Sequence, residues 1–191
     1  MAATPSTMLD LGTTIPAFRL PGYQGDFVSS DQFEGAPGML VVFICPHCPF
    51  VQHIRTELGR FGREYQAKGL IIVGINSNDT VAFPQDGVEG MKQEVQLAGY
   101  TFPYLRDENQ KVAQSFRAAC TPDFFLFHQS KRLVYRGQFD SSRPGNGIPL
   151  SGSDLRAAAD AVLAGKLPSA NQKPSIDCNI KWKAGNRPDY F

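Results

Sequence analysis

The junction between an apolar run, residues 39–45 (MLVVFIC), and the segment Pro46-His47-Cys48-Pro49 constrains the fold more than any other part of this chain. The run is of strand length and rich in β-branched residues, which reads as a buried central strand. From Phe50 onward the apolar positions Phe50, Ile54, Leu58, Phe61 and Tyr65 recur every three or four residues, so an amphipathic helix is expected to about residue 68. Gly69 suits its end. Residues 70–75 (LIIVGI) follow at once as a second buried strand. Strand, helix and strand so closely joined make a βαβ unit with two parallel strands.

The rest of the chain builds outward from that unit. Residues 10–35 mix short apolar pairs with Pro and Gly, the pattern of a hairpin or loose N-terminal strands. A polar loop is expected at 76–87, a second helix at 88–98, a short strand at 102–105, and a helix capped by Asp107 running through residue 118. Residues 123–128 and 133–139 lie close enough to form an antiparallel hairpin. After a Pro, Gly and Ser loop, Ser153 or Asp154 is expected to cap an Ala-rich helix ending near Gly165. The tail, 166–191, carries a local excess of +3 and reads as an irregular wrap anchored by Ile176, Ile180, Trp182, Tyr190 and Phe191. The expected organisation is one domain over 1–165 with the tail 166–191 packed on it, and there is no internal repeat.

Charge and leader signals bound the function. With 19 Lys plus Arg against 18 Asp plus Glu in 191 residues, the chain lacks the clustered positive charge of a nucleic-acid or anionic-membrane binder. The first ten residues (MAATPSTMLD) have neither the basic nor the apolar region of a signal peptide, so a cytoplasmic location is expected. Four cysteines are too few for a disulfide scaffold of this length, and in a reducing compartment they point to catalysis or sensing.

Cys45 and Cys48 form a C-x-x-C at a strand-to-helix junction. Thiols at this spacing can close a small disulfide ring, and the amides and dipole at the helix start stabilise a thiolate there. Cys45 is expected to be the exposed nucleophile and Cys48 its resolving partner. Pro46 and His47 tune the pair, since a nearby imidazolium lowers a thiol pKa and makes the disulfide more oxidising. A closed zinc site needs four ligands, and with no second C-x-x-C or H-x-x-x-H neither a metal nor a cofactor is expected. Thr121-Pro122 precedes the 123–128 strand, where a proline is sterically permitted.

A strand ending in C-x-x-C and a helix, followed later by Thr-Pro, a β-hairpin and a final helix, resembles the thioredoxin fold. The resemblance implies an α/β architecture: a central mixed β-sheet flanked by helices, here with an N-terminal β extension and an irregular C-terminal tail. It also implies that Pro122 is cis and that Thr121 and Pro122 form a substrate-binding platform beside Cys45. More narrowly the chain resembles the AhpC/TSA-like (redoxin) group, through Ile15-Pro16-Ala17-Phe18-Arg19-Leu20, residues 43–51, residues 120–127 and residues 174–183. Pro46 stands where an Asn is usual in the most similar thioredoxin family proteins, giving the Cys-Pro-His-Cys of DsbA-type oxidants without their helical insertion or export signal.

These features point to a thiol-disulfide oxidoreductase acting on protein or small-molecule disulfides with a thiol reductant. Two alternatives stand beside it. A peroxiredoxin-like thiol peroxidase would use Cys48-Pro49, but its pattern is Thr-x-x-Cys-Pro, the Thr position holds Cys45, and Arg55 and Arg143 read as surface charges. A redox sensor or soft-metal carrier would use the same thiols without turnover. Cys120, next to Thr121, and Cys178, on the tail, are candidates for additional redox thiols. His53 reads as a partly buried polar residue, and no carboxylate before Cys45 can be placed beneath the thiols.

Overall fold

The computed structural model describes residues 3–191. In chain order the strands are β1 (Ala3–Pro5), β2 (Arg19–Pro21), β3 (Phe27–Ser29), β4 (Gly38–Phe43), β5 (Ile71–Asn76), β6 (Tyr104–Arg106), β7 (Cys120–Thr121), β8 (Asp123–His128), β9 (Leu133–Gly137) and β10 (Ile176–Asn179). The helices are α1 (Pro49–Ala67), α2 (Val88–Ala98), α3 (Lys111–Ser115) and α4 (Ser153–Leu163).

The main sheet has the order β6-β5-β4-β8-β9, with β4, β5 and β6 parallel and β8 and β9 antiparallel to their neighbours. This is the expected mixed sheet, and β2 and β3 supply the expected N-terminal hairpin. Every β4 residue is buried because the strand is central and both sheet faces are covered. Alternation divides its side chains: Leu40 and Val42 face a core with Leu58, Phe61 and Tyr65 of α1 and with Leu155 and Ala159 of α4. Val41 and Phe43 face a second core with Phe18, Phe116, Phe125 and Phe127. No described helix is long and apolar enough to cross a membrane.

α1 begins with Pro49 at its first turn, where the missing amide costs no helical hydrogen bond, and Gly69 at φ +92 turns the chain into β5. Two helix starts differ from expectation. α3 is shorter than the segment expected between Asp107 and residue 118. Gln110 at φ +63 turns the chain first, and the buried Asp107 carboxylate accepts the Val112 and Ala113 amides at 3.3 and 2.8 Å from outside the helix. At α4 neither Ser153 nor Asp154 is the cap. Gly152 at φ +67 takes that position, and the Asp140 carboxylate accepts the Ser151 and Gly152 amides at 2.7 and 2.5 Å.

The tail is irregular apart from one strand that the sequence does not announce. β10 pairs antiparallel with β1 on one side and β7 on the other, forming a small separate sheet in the order β1-β10-β7. Its docking depends on Gly137 at φ +137: a Cβ there would lie 2.1 Å from the Lys173 carbonyl oxygen, so only glycine lets the tail backbone approach β9. The Gln138 amide then donates to Lys173 O at 3.0 Å, and Ser175 Oγ donates to Gly137 O at 2.7 Å.

Candidate active site

β4 delivers Cys45 to the turn above the sheet, and Cys48 is the N-cap of α1. Gln52 holds the turn closed: its amide donates to Cys48 O and its side-chain Nε2 to Pro46 O, both at 2.9 Å. The expected exposed nucleophile is not exposed. Cys45 shows 1% of its surface and Cys48 none, and Thr121 of β7 reaches both sulfurs. All four cysteines are buried free thiols.

Three of those thiols meet. Cys178 lies close enough to Cys48 to shift its titration, as Cys45 does, and the three share one buried core. Thr121 bridges the pair from above: its hydroxyl lies 3.4 Å from Cys45 Sγ, and its carbonyl oxygen accepts from Cys48 Sγ at 3.0 Å when Cys48 is protonated. The Thr121-Pro122 peptide is cis, as the resemblance implied. The backbone of Thr121 is nevertheless already paired, since Cys178 stands opposite it in the β10–β7 ladder.

The protons are unequally held. Hydrogen bonds from the Cys178 and Cys45 thiols push the Cys48 pKa far down against the cost of burial, and the start of α1 adds positive dipole. Burial pushes Cys45 up, as do its donation to Cys48 and the negative charge of Asp86. Cys178 is pushed up first by its bond to Cys48 and then by burial. The arrangement favours a single thiolate, on Cys48, with two thiols donating to it. Cys120 does not join them. Burial and the charges of Asp123 and Asp177 push it up, and its S–H faces the Pro122 carbonyl oxygen at 3.8 Å.

The His47 imidazole, expected to tune the thiols, is itself held by other groups. Its Nδ1 lies 2.5 Å from Asp86 Oδ2 and its amide donates to Oδ1 at 3.1 Å, while its ring stacks on Phe83 with centroids 5.4 Å apart. Asn78 Nδ2 donates to the same carboxylate at 2.8 Å. Asp86 is fully buried in a turn that reads in the sequence as polar loop, and nothing in that reading brings it to the thiols. Donor atoms of Cys45, His47 and Asp86 all lie within 4.8 Å of one another. Both Asp86 oxygens are already engaged by His47 and Asn78, so the carboxylate serves as a clamp on the C-x-x-C turn.

Two buried carboxylates escape sequence reasoning, and one arginine is placed otherwise than expected. Asp123 follows Pro122 with neither carboxylate oxygen in a well-formed hydrogen bond, and burial raises its pKa to about 7. Asp177 precedes Cys178, and burial raises it to about 8 against the opposing charge of Arg143, 3.6 Å away. Arg143 is not a solvated charge. It also donates to the Asp140 and Ser142 carbonyls and to Gln138 Oε1, and with Phe50, Pro122 and Asp177 it lines a crevice of about 10 Å³, room for about one water. Arg55 is tied to buried Glu94 at 2.7 Å, and His53 Nε2 meets Ser142 Oγ at 2.8 Å.

Comparison with known proteins bears on the family and the fold. The family model described as AhpC/TSA family matches residues 11–136. A hypothetical protein from Sinorhizobium meliloti is 51% identical, with a TM-score of 0.93 over 95% of this chain and 100% of that one. An uncharacterized conserved protein from Geobacillus kaustophilus is 47% identical, with a TM-score of 0.93 over 96% of this chain and 97% of that one. The thioredoxin domain of a thiol-disulfide oxidoreductase from Bacteroides vulgatus shares the fold at 20% identity, with a TM-score of 0.58 over 68% of this chain and 89% of that one. No curated protein matches.

Proposed function

The chain belongs to the AhpC/TSA family, and on that premise we propose that it is a thiol-disulfide oxidoreductase working through the Cys45–Cys48 couple. The observation that carries the reading is the contact of Cys45 and Cys48 with Thr121, beside the cis proline, in a site that favours one thiolate. Cys45 passes its proton to the neighbouring Cys48 and attacks one sulfur of a substrate disulfide. A mixed disulfide forms and the other substrate sulfur leaves as thiolate. Cys48, deprotonated again, attacks Cys45 Sγ, closes the Cys45–Cys48 disulfide and expels the second substrate thiolate. Two electrons have moved to the substrate, and a thiol reductant restores the couple. Protein or small-molecule disulfides are the proposed substrates, in a cytoplasmic setting, with the Thr121-Pro122 segment aligning them once β10 yields.

Trapping tests these roles. Cys48→Ser should accumulate mixed disulfides through Cys45, and Cys45→Ser should not; identical behaviour of the two variants overturns the assignment. One observation favours a second reading: Cys48 stands at the start of α1 and its neighbouring thiols lower its pKa, which suits a thiol peroxidase. Peroxide consumption that needs Cys48 and survives loss of Cys45 would select it.

A further inference from the structure

We infer that Cys178 is a third member of the redox centre, and that the oxidised site exchanges between a Cys45–Cys48 and a Cys48–Cys178 disulfide. The inference deepens the dithiol reading and rests on it only for the presence of the Cys45–Cys48 bond.

Placement is the first argument. Cys178 is opposite Thr121 in the β10–β7 ladder, and the Thr121 carbonyl is the group that Cys48 Sγ reaches at 3.0 Å, so strand register alone brings the two cysteines together. Their side chains share one buried core with Cys45.

Rigidity is the second. Cys178 does not ride on a loose end, because β10 is paired on both edges and secured at both ends. Ser6 N donates to Ser175 O at 2.8 Å before it, and Ile180 N donates to Ala119 O at 3.0 Å after it. Asp79 N donates to Lys181 O and Lys181 N to Asn78 Oδ1, each at 2.8 Å, which ties the following residue to the loop that carries the His47 clamp. A thiol held against its partner competes at a far higher effective concentration than any thiol in solution. Cys120, equally buried, faces the Pro122 carbonyl and is not so placed.

The exchange balances without an outside reagent. Starting from the Cys45–Cys48 disulfide, Cys178 Sγ attacks Cys48 Sγ, the Cys48–Cys178 bond forms, and the Cys45–Cys48 bond breaks. Cys45 leaves as thiolate and takes up the proton that Cys178 gives up. One disulfide and one thiol are present before and after. The product stores the oxidising equivalents between α1 and β10 while returning a free Cys45, so the nucleophile is re-armed before any reductant arrives.

The test uses the full chain in a Cys120→Ala background, oxidised with glutathione disulfide, quenched with acid and N-ethylmaleimide, and mapped by tryptic mass spectrometry. Cys45 and Cys48 fall in the peptide 20–55 and Cys178 in the peptide 167–181, so a link between the two is unambiguous. Cys45→Ser isolates Cys48, and the cross-linked chain should outnumber the Cys48 glutathione adduct by about tenfold or more. Adding Cys178→Ser should abolish the link, with Cys178→Ala as a second variant if the serine chain melts early. A Cys45→Ser chain that retains the glutathione adduct beside a free Cys178 overturns the proposal. Insulin-disulfide reduction by the unmutated chain is read in parallel. Activity without the 48–178 link defeats this inference alone, and the link without activity defeats the reductase reading alone.

Discussion

Asp86 grips His47 twice, accepting the backbone amide on one oxygen at 3.1 Å and the ring Nδ1 on the other at 2.5 Å. The imidazole between the two cysteines is therefore fixed against a buried carboxylate. Whatever it lends the thiols is opposed by a buried carboxylate whose own field disfavours a thiolate on Cys45. Phe83 completes the fixture by covering one face of the ring.

Asp86→Asn removes that field while keeping the side-chain size. In a Cys48→Ala background the Cys45 thiolate should appear at lower pH than with Asp86 present, read by ultraviolet thiolate absorbance. The lost bonds to His47 and Asn78 should also cost about 1–3 kcal/mol in urea unfolding. An unchanged or raised Cys45 titration would show that Asp86 is only structural.

Cys178→Ala should act in the opposite direction on Cys48. With Cys45→Ser and Cys120→Ala removing the other thiols, loss of the Cys178 hydrogen bond removes the leading cause of the depressed Cys48 pKa. The pH at which iodoacetamide reactivity reaches half its plateau should rise. A constant midpoint would place the stabilisation of the thiolate elsewhere.

Asp123 and Asp177 make stability depend on pH. Their folded pKa values, about 7 and about 8, lie above the ordinary carboxylate value, so the folded chain holds protons that the unfolded chain releases. Their contribution is fully present below about pH 4, where both states are protonated, and is lost as pH rises through 7 and 8. Stability should fall between those limits by up to about 1.4 kcal/mol per pH unit for each proton retained. Asp123→Asn should flatten the slope measured by urea melts at pH 5, 6, 7 and 8, whatever it does to absolute stability.

The legible and illegible parts of this molecule differ in how far their partners lie along the chain. The β4, thiol and α1 junction is written in a local apolar run and a local three-and-four spacing, and the β8–β9 hairpin in two neighbouring runs, so both could be placed from residues alone. Asp86 gives no such signal, because its partner lies 39 residues away and its own segment has no apolar period. β10 is four residues long, Ile-Asp-Cys-Asn, and its partner strands have three and two residues, too short for any period to show. The exposed Cys45 expected from the motif fails for the same reason: Thr121, which meets its sulfur, lies 76 residues further along the chain.

Gly137→Ala should loosen the tail. The new Cβ would meet the Lys173 carbonyl at 2.1 Å at a φ of +137, which side chains rarely adopt, so β9 and the segment before β10 must part. Alkylation of Cys178 in the native protein should accelerate by about tenfold or more, equivalent to about 1.4 kcal/mol of docking free energy. An unchanged rate would mean that β1 and β7 alone hold the strand.

Arg55→Ala should be costly although the arginine is partly exposed. It leaves Glu94, only 2% exposed, without its cation, and removing one partner of such a pair costs about 3–5 kcal/mol. The midpoint of denaturant unfolding reads the loss, and Arg55→Ala/Glu94→Gln should recover much of it.

The third thiol that β10 brings to Cys48 also follows an order along the chain. β4, α1 and the Thr121-Pro122 segment are all translated before residues 176–179, so Cys45 and Cys48 are made before the strand that carries Cys178. That thiol reaches the site only when one four-residue strand takes its place between β1 and β7.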